Sequence, residues 1–348
     1  MTGRRKIILG LPAAAMLSTL RCALADGPAS LTLVAGGPDG QAMSRWGDAC
    51  ALAMGPCFAG GASLTTQPIG GLDGVTAANY LDALVVADGK TAAMLPGAAL
   101  TAWLTGDERV HFDPTRWMPV MAGVNSGVLV VRAPTGNAPT LADLRAMPPL
   151  RLAADQPESN DLAALLALER LGLKIAPVFG LRNADSKIQA FVAGDADAVF
   201  LSGEGVPEDI APLAANGGVP TFCLGMMAAD GSLQPDPLFP GLPDAIMFGN
   251  GLTSPLDLVY RAAAAAARLD FIMVLPKLTA PGPVAFWRQA AAAASGAQAL
   301  DAAASASTVY LQPAPVLQAE MSSLNNLLPA DQSGLQAFLI QRFGWQPG

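Results

Sequence analysis

A single histidine, His111, occurs in 348 residues, and it lies in an irregular stretch far along the chain from every glycine-rich turn. A Ser-His-Asp or Cys-His nucleophile would have to be built on it, and no G-x-S-x-G turn is present to carry the nucleophile. One histidine and scattered cysteines cannot supply the three or four N/S ligands of a zinc site. Neither G-x-x-x-x-G-K-[ST] nor G-x-G-x-x-G occurs, so loops that cradle a nucleotide phosphate are missing and no cofactor is expected. Charge is sparse, at 14% of residues against 52% hydrophobic. Even so, no stretch beyond residue 25 reaches the roughly 18 uninterrupted apolar residues of a spanning helix.

What the chain does have begins with an address. Arg4, Arg5 and Lys6 precede an apolar stretch over residues 7–20, and Ala23-Leu24-Ala25 stands before Asp26. That is the layout of a cleavable secretory signal, so residues 1–25 are set aside from the fold. The Arg4-Arg5 pair partly resembles a twin-arginine signal without its usual aromatic residue. Cleavage there removes four of the 20 basic residues and none of the 28 acidic ones, leaving a net charge near −12. Such a surface repels nucleic acid and anionic lipid, yet a pocket of main-chain N–H groups still binds a carboxylate locally.

The organising stretch is residues 31–46, LTLVAGGPDGQAMSRW. Residues 31–34 read as a buried strand, and Gly36, Gly37 and Gly40 allow a sharp turn. Met43, Trp46, Cys50 and Met54 then recur on one stripe of a helix. Strand, bare loop and helix N-terminus meet, which is where a small anion or polar solute binds. The pattern repeats with a strand at 63–66 and a helix at 75–84, then a strand at 91–95 and a helix at 98–104. This alternation predicts a mainly parallel sheet flanked by helices, with its glycine loops gathered at the carboxyl edge.

An irregular link at 107–119 leads to an extended run at 127–133 that crosses to a second unit. There a helix at 141–147, a strand at 151–154, the turn DQPESND, a helix with Leu162, Leu165, Leu166 and Leu168, and a strand at 176–179 follow. A helix carrying Ile188, Phe191 and Val192 leads to a strand at 198–201. Residues 233–253, rich in Pro, Gly and Asp, read as the return loop. A helix at 256–269, a strand at 271–275 and alanine-rich helices complete the chain. Two α/β units of similar plan leave a cleft between them, a site for a solute.

Asp39 and Asp73, in the first two loops, read as a candidate carboxylate pair or, more commonly, as turn and cap residues. Cys50 and Cys57 flank the Gly55-Pro56 helix terminator, either as a candidate disulfide or as two small core residues. Cys223 reads as a buried free thiol.

Several stretches together resemble the periplasmic receptors of tripartite tricarboxylate transporters, the Bug receptors. They are VAGGPDGQAMSRW, GLDGVTAANYLDALVVADGKT, FDPTRWMPVMAGVNSGVLVV, FGLRNADSKIQAFVAGDADAVF and FIMVLPKLTAPGP, which follow the family's order over most of residues 31–285. The resemblance implies a type II periplasmic-binding-protein-like architecture. Residues 26–126 with 250–348 would form one α/β domain and residues 127–249 the other. It implies a monomer that captures a small organic acid in the interdomain cleft, without catalysing a reaction, and delivers it to membrane permease subunits. The loop positions Gly36, Gly37, Pro38, Asp39 and Gly40, and Leu72, Asp73, Gly74, Val75 and Thr76, would surround one carboxylate, the non-proline residues through their main-chain amides. Gly97, Ser159, Phe179, Gly180 and Asn183 would line the wall. Departures are visible: Asp73 stands where the family has glycine, and Glu158-Ser159-Asn160 replaces a glycine-serine helix start. A neutral or cationic solute is therefore an alternative, as is a sensing adaptor for a receptor kinase.

Overall fold

The computed structural model describes residues 30–133, 137–249, 252 and 254–346; the expected signal segment lies outside them. The first stretch runs β1 (Ser30–Ala35), α1 (Ala42–Met54), β2 (Ser63–Pro68), α2 (Val75–Leu84), β3 (Thr91–Leu95), α3 (Gly97–Thr105) and β4 (Met118–Val124). The chain then passes to β5 (Gly127–Arg132), α4 (Leu141–Ala146), β6 (Leu152–Ala153), α5 (Leu162–Arg170), α6 (Ala184–Ala193), β7 (Ala198–Ser202), α7 (Val206–Ala215) and β8 (Gly218–Cys223). A return segment holds β9 (Met226–Met227), β10 (Leu233–Gln234) and α8 (Ala245–Phe248). It leads to α9 (Asp257–Arg268), β11 (Leu269–Leu275), α10 (Pro281–Ala294), α11 (Gln298–Ala306), β12 (Tyr310–Pro313), α12 (Ala314–Asn325) and α13 (Pro329–Phe343).

Two mixed sheets result. The first has the order β12-β4-β11-β3-β1-β2 and the second β6-β7-β5-β8. The alternating stretches pair in parallel, β1 with β2 and β3, and β6 with β7. Strands that arrive from the other sheet or from the return segment pair antiparallel, as β11 does with β3 and β4. Each strand end of the β-α-β-α-β-α run therefore opens at one edge, as the alternation requires.

The anticipated stripe on α1 is buried: Met43, Trp46, Cys50 and Met54 all face the core against Phe271 and Trp287. Three expectations are corrected. The strand expected at 176–179 is reduced to isolated bridges, with Ala176 donating to Leu150 and Val178 to Leu152. Both donors face β6, while Pro177 between them faces outward without an N–H, so the segment closes the sheet as a short edge. The return loop at 233–253 contains β10 and also α8, whose start is capped by Asp244 accepting from the amides of Ile246 and Met247. Finally, Cys50 and Cys57 are not bridged. Cys50 is sealed in the core, its thiol pushed up to about 12 by burial, while the Cys57 thiol donates to the Ala53 carbonyl. Cys223 is a free thiol buried beside Pro243.

The two sheets share core. One apolar cluster runs from Val34 and Ala93 through α9 to Leu162, Leu165 and Leu166 of α5 and on to Leu129. The alanine run of α9 makes this possible, because Ala262 to Ala267 are all buried and methyl-sized side chains let helices approach closely. At the C-terminal end of α9, Arg268 forms a two-pronged buried ion pair with Glu320 of α12, at 2.8 and 2.7 Å. Its third nitrogen donates to the carbonyl of Leu224, where the chain leaves the second sheet. One buried guanidinium thus ties the crossing point to both halves.

Candidate functional site

Two adjoining cavities, of about 510 and 270 Å³, lie between the lobes built on the two sheets. They share Leu72, Ala98, Asn160 and Ser202 in their walls. The smaller is formed by the turn after β1 (Gly36, Gly37), the start of α1 (Gln41 to Met43), Pro96-Gly97 before α3, and Asn125 at the crossing from β4 to β5. Ser202-Gly203 after β7 and Asp270 on β11 close it. The larger is walled on one side by α3 with Asp73, Asp107 and Arg109. On the other side are the DQPESND turn and the start of α6, with Arg182, Asn183 and Lys187.

Of the positions anticipated from sequence, Gly36, Gly37, Leu72, Asp73, Gly97, Ser159 and Asn183 line these cavities. Pro38, Asp39, Gly40, Gly74, Val75, Thr76, Phe179 and Gly180 line neither. The expectation that amides of the first two loops point freely into the gap is corrected for four of them. Gly36 donates to Met94, Gly37 to Ala35, Gly74 to Gly71, and Val75 to the Asp73 carboxylate. The turns consume the donors of Gly37, Gly74 and Val75 themselves, and β3 takes that of Gly36. Phe179 stacks edge-on against Phe343 of α13, and the Gly180 amide is held by Asp155. The first turns of α1 and α3 also begin at the cavity, where leading amides have no partner within their helix, although that of Ala99 is taken by Pro96.

Gly97 is forced by packing as well as position. A Cβ there would lie 2.1 Å from the Ala266 carbonyl oxygen and 2.5 Å from that of Leu269, because the start of α3 abuts the end of α9. Gly74 is confined too, with φ 74° and Pro96 2.5 Å from where a Cβ would stand.

Asp39 and Asp73 do not work as a pair. Asp39 accepts from the Ser44 hydroxyl at 3.1 Å, whereas Asp73 is held by Arg109 at 2.7 Å. Arg109 also grips Asp107 and holds its carboxyl below the usual carboxylate range. One guanidinium is thus shared by two carboxylates, and the trio keeps a net negative charge at this wall. On the opposite wall, Lys187 pairs with Asp161 at 2.5 Å, and Asp161 in turn accepts from the Asp155 amide and the Ser159 hydroxyl. That arrangement rigidifies the turn before α5. Among the described residues, Arg182 is the cation of the larger cavity without an ion-pair partner, so its guanidinium is available to a solute.

Sequence reasoning missed Asn125, Asp270, Glu204, Arg109, Arg182 and Lys187. Two had a signal: Asn125-Ser126 interrupts the apolar run from Val120 to Val131, and Asp270 interrupts LDFIMVL. Burial pushes Asp270 up to about 6, with the charge of Glu204 adding to it and the neighbouring Asn125 and Trp46 side chains acting against it. Glu204 reaches across the gap from the second lobe. Its carboxylate accepts from the Trp46 indole at 3.1 Å and lies 3.7 Å from Arg45, both on α1.

Two mixed α/β sheets, a double crossing between them and a lined cleft at their facing edges define the two-lobed fold of periplasmic solute-binding proteins. More particularly, the chain has the fold of the TctC and Bug type. A TctC solute-binding protein from Polaromonas superposes with a TM-score of 0.65 at 15% identity, covering 90% of this chain and 98% of that one. MatC from Rhodopseudomonas palustris, solved with bound malate, gives 0.54 at 16% identity, over 88% of this chain and 98% of that one. Another R. palustris protein, solved with adipate, gives 0.52 at 18%, over 89% and 99%. No protein-family model matches the sequence, and no curated protein matches it.

Proposed function

We propose that this is an exported solute-binding protein that captures a small organic carboxylate between its lobes, without catalysing a reaction, and passes it to a membrane permease of the tripartite tricarboxylate type. The lobes are residues 26–126 with 250–348, and residues 127–249, acting as a periplasmic monomer. The observation that carries this reading is the cleft itself, lined from both lobes at strand ends, with the first turns of α1 and α3 and the uncommitted Arg182 supplying donors for a carboxylate. Malate and adipate in proteins of the same fold agree with it.

Thermal unfolding and calorimetry with a panel of di- and tricarboxylates, amino acids and aromatic acids test the proposal. A true ligand at about 100 times its Kd adds about 2.7 kcal/mol of stability, which reads as a clear rise in Tm. A panel in which nothing shifts Tm overturns the reading. Affinity capture of the loaded protein from membranes is expected to retain a permease; recovery of a receptor kinase in its place would assign the protein to sensing.

A further inference from the structure

The stretch over residues 175–183 is held from two sides before it reaches the larger cavity. On its inner side the amides of Ala176 and Val178 bond to Leu150 and Leu152, and those of Gly180 and Leu181 to the carbonyls of Asp155 and Ala154. Its outer side is a sheet edge, and side chains from the last turn of α13 cover it. Arg342 donates to the Ile175 carbonyl at 3.1 Å and pairs with Glu169 of α5, while the Phe343 ring meets that of Phe179 edge-on at 6.0 Å between centroids. The chain then turns at Gly180, where φ is 94°, and delivers Arg182 and Asn183 to the cavity wall.

Helix α13 is itself anchored in the other lobe. Gln332 and Gln336 donate to the carbonyls of Trp103 and Thr105 at the end of α3, and Leu335 and Leu339 are buried. The same α3 presents Thr101 and Thr105 to the larger cavity. From Gln336 to Arg342 the helix rises about 9 Å, so one rigid element grips the α3 wall and the Arg182 wall together. Arg182 is exposed and has no ion-pair partner among the described residues, so its place depends on the backbone that carries it. A guanidinium on a held backbone costs less to order against a carboxylate than one on a loose edge.

We propose that Arg342, which lines neither cavity, is a positioning residue: from α13 of the first lobe it fixes residues 175–183 of the second and thereby the guanidinium of Arg182. This rests on the solute-binding reading above and adds to it a residue that touches no solute.

Calorimetry with the tightest-binding acid of the di- and tricarboxylate panel, malate and adipate included, and hydrogen exchange of the ligand-free protein test it together. Arg342→Ala is expected to raise Kd about 3- to 10-fold and to speed exchange over residues 180–187 about tenfold, with α3 unchanged. Arg342→Lys, which can keep one of the two polar contacts, should fall between, and it carries the same measurements if Arg342→Ala fails to fold by circular dichroism. Combined with Arg182→Lys, the Arg342 substitution should raise Kd at least about threefold less than the product of the two separate effects, because it acts through that side chain. An unchanged Kd despite faster exchange leaves Arg342 a structural residue and overturns the proposal, as do unchanged exchange or additive effects with Arg182→Lys; in each of these cases carboxylate capture stands. If no acid of the panel binds the unaltered protein, carboxylate capture fails and this role of Arg342 fails with it.

Discussion

Asp270 shows how a single buried carboxyl ties stability to the site. Its ordinary value near 3.8 is raised to about 6, so folding favours the neutral form. The stabilising contribution of the protonated group is complete below the unfolded value and is lost as pH rises through about 6. Ionised Asp270 therefore costs the ligand-free protein on the order of 3 kcal/mol at neutral pH. Asp270→Asn is expected to raise Tm at pH 7.5 and to leave it almost unchanged at pH 4.5; scanning calorimetry at the two pH values measures this. A variant less stable than the parent at pH 7.5 contradicts it. Arg268 and Glu320 make the contrasting case, a buried pair whose two charges satisfy each other. Glu320→Ala strands the guanidinium and should cost about 3–5 kcal/mol in urea unfolding, whereas replacing both partners by apolar residues should cost far less.

Among the elements, the meeting of α3 and α9 is the tightest. Gly97 sits against the last carbonyls of α9, so Gly97→Ala must push the two helices apart. A loss of about 1–3 kcal/mol is expected, with weakened binding because the same residue walls the smaller cavity. Gly282 offers the control. It lies in the first turn of α10 with open space where a Cβ would be, and Gly282→Ala should stabilise by about 0.4–1 kcal/mol. Denaturation midpoints of the two variants are expected on opposite sides of the parent. Helix α7 makes a related point about reading sequence. Pro207 and Pro212 look like breakers in VPEDIAPLAA, yet Pro207 occupies the first turn, where no amide partner is lost.

Over the whole molecule, the lobes are joined by core at α5 and α9, by the ion pairs of Arg170 with Asp257 and Arg342 with Glu169, and across the rim of the cleft by the hydrogen bond from Trp46 to Glu204. The rim contact is the one that opening of the cleft would break. With a net worth of about 0.5–1.5 kcal/mol, its loss in Glu204→Ala should raise the Kd of a captured solute by about 2- to 12-fold. Arg45→Ala should have little effect, since that side chain is 61% exposed and its pair is long. Calorimetric titrations of the two variants with the same ligand measure the difference, and equal effects would mean that charge and not the indole bond holds the rim.

How much of this was legible without coordinates follows from the range of the forces involved. Hydrophobic period and glycine punctuation act within a dozen residues, so the β-α alternation, the buried stripe on α1 and the glycine turns at Gly36, Gly37 and Gly97 could be read directly, whereas Leu72, Ser159 and Asn183 were implied only by the resemblance to the Bug receptors. Whether an amide in a glycine turn is free depends on what lies opposite it. Met94, on the neighbouring strand β3, claims that of Gly36, which no local pattern announces, whereas the Gly37 amide closes a local turn on Ala35. Residues recruited over long separations were invisible for the same reason, among them Arg109 against Asp73, Glu204 against Trp46, and Asp270 beside Asn125. Local patterning determined the layers and the edge where a solute can enter. The charge and hydrogen-bonding character of that edge was decided only when the chain crossed twice between its sheets and set side chains from distant segments face to face.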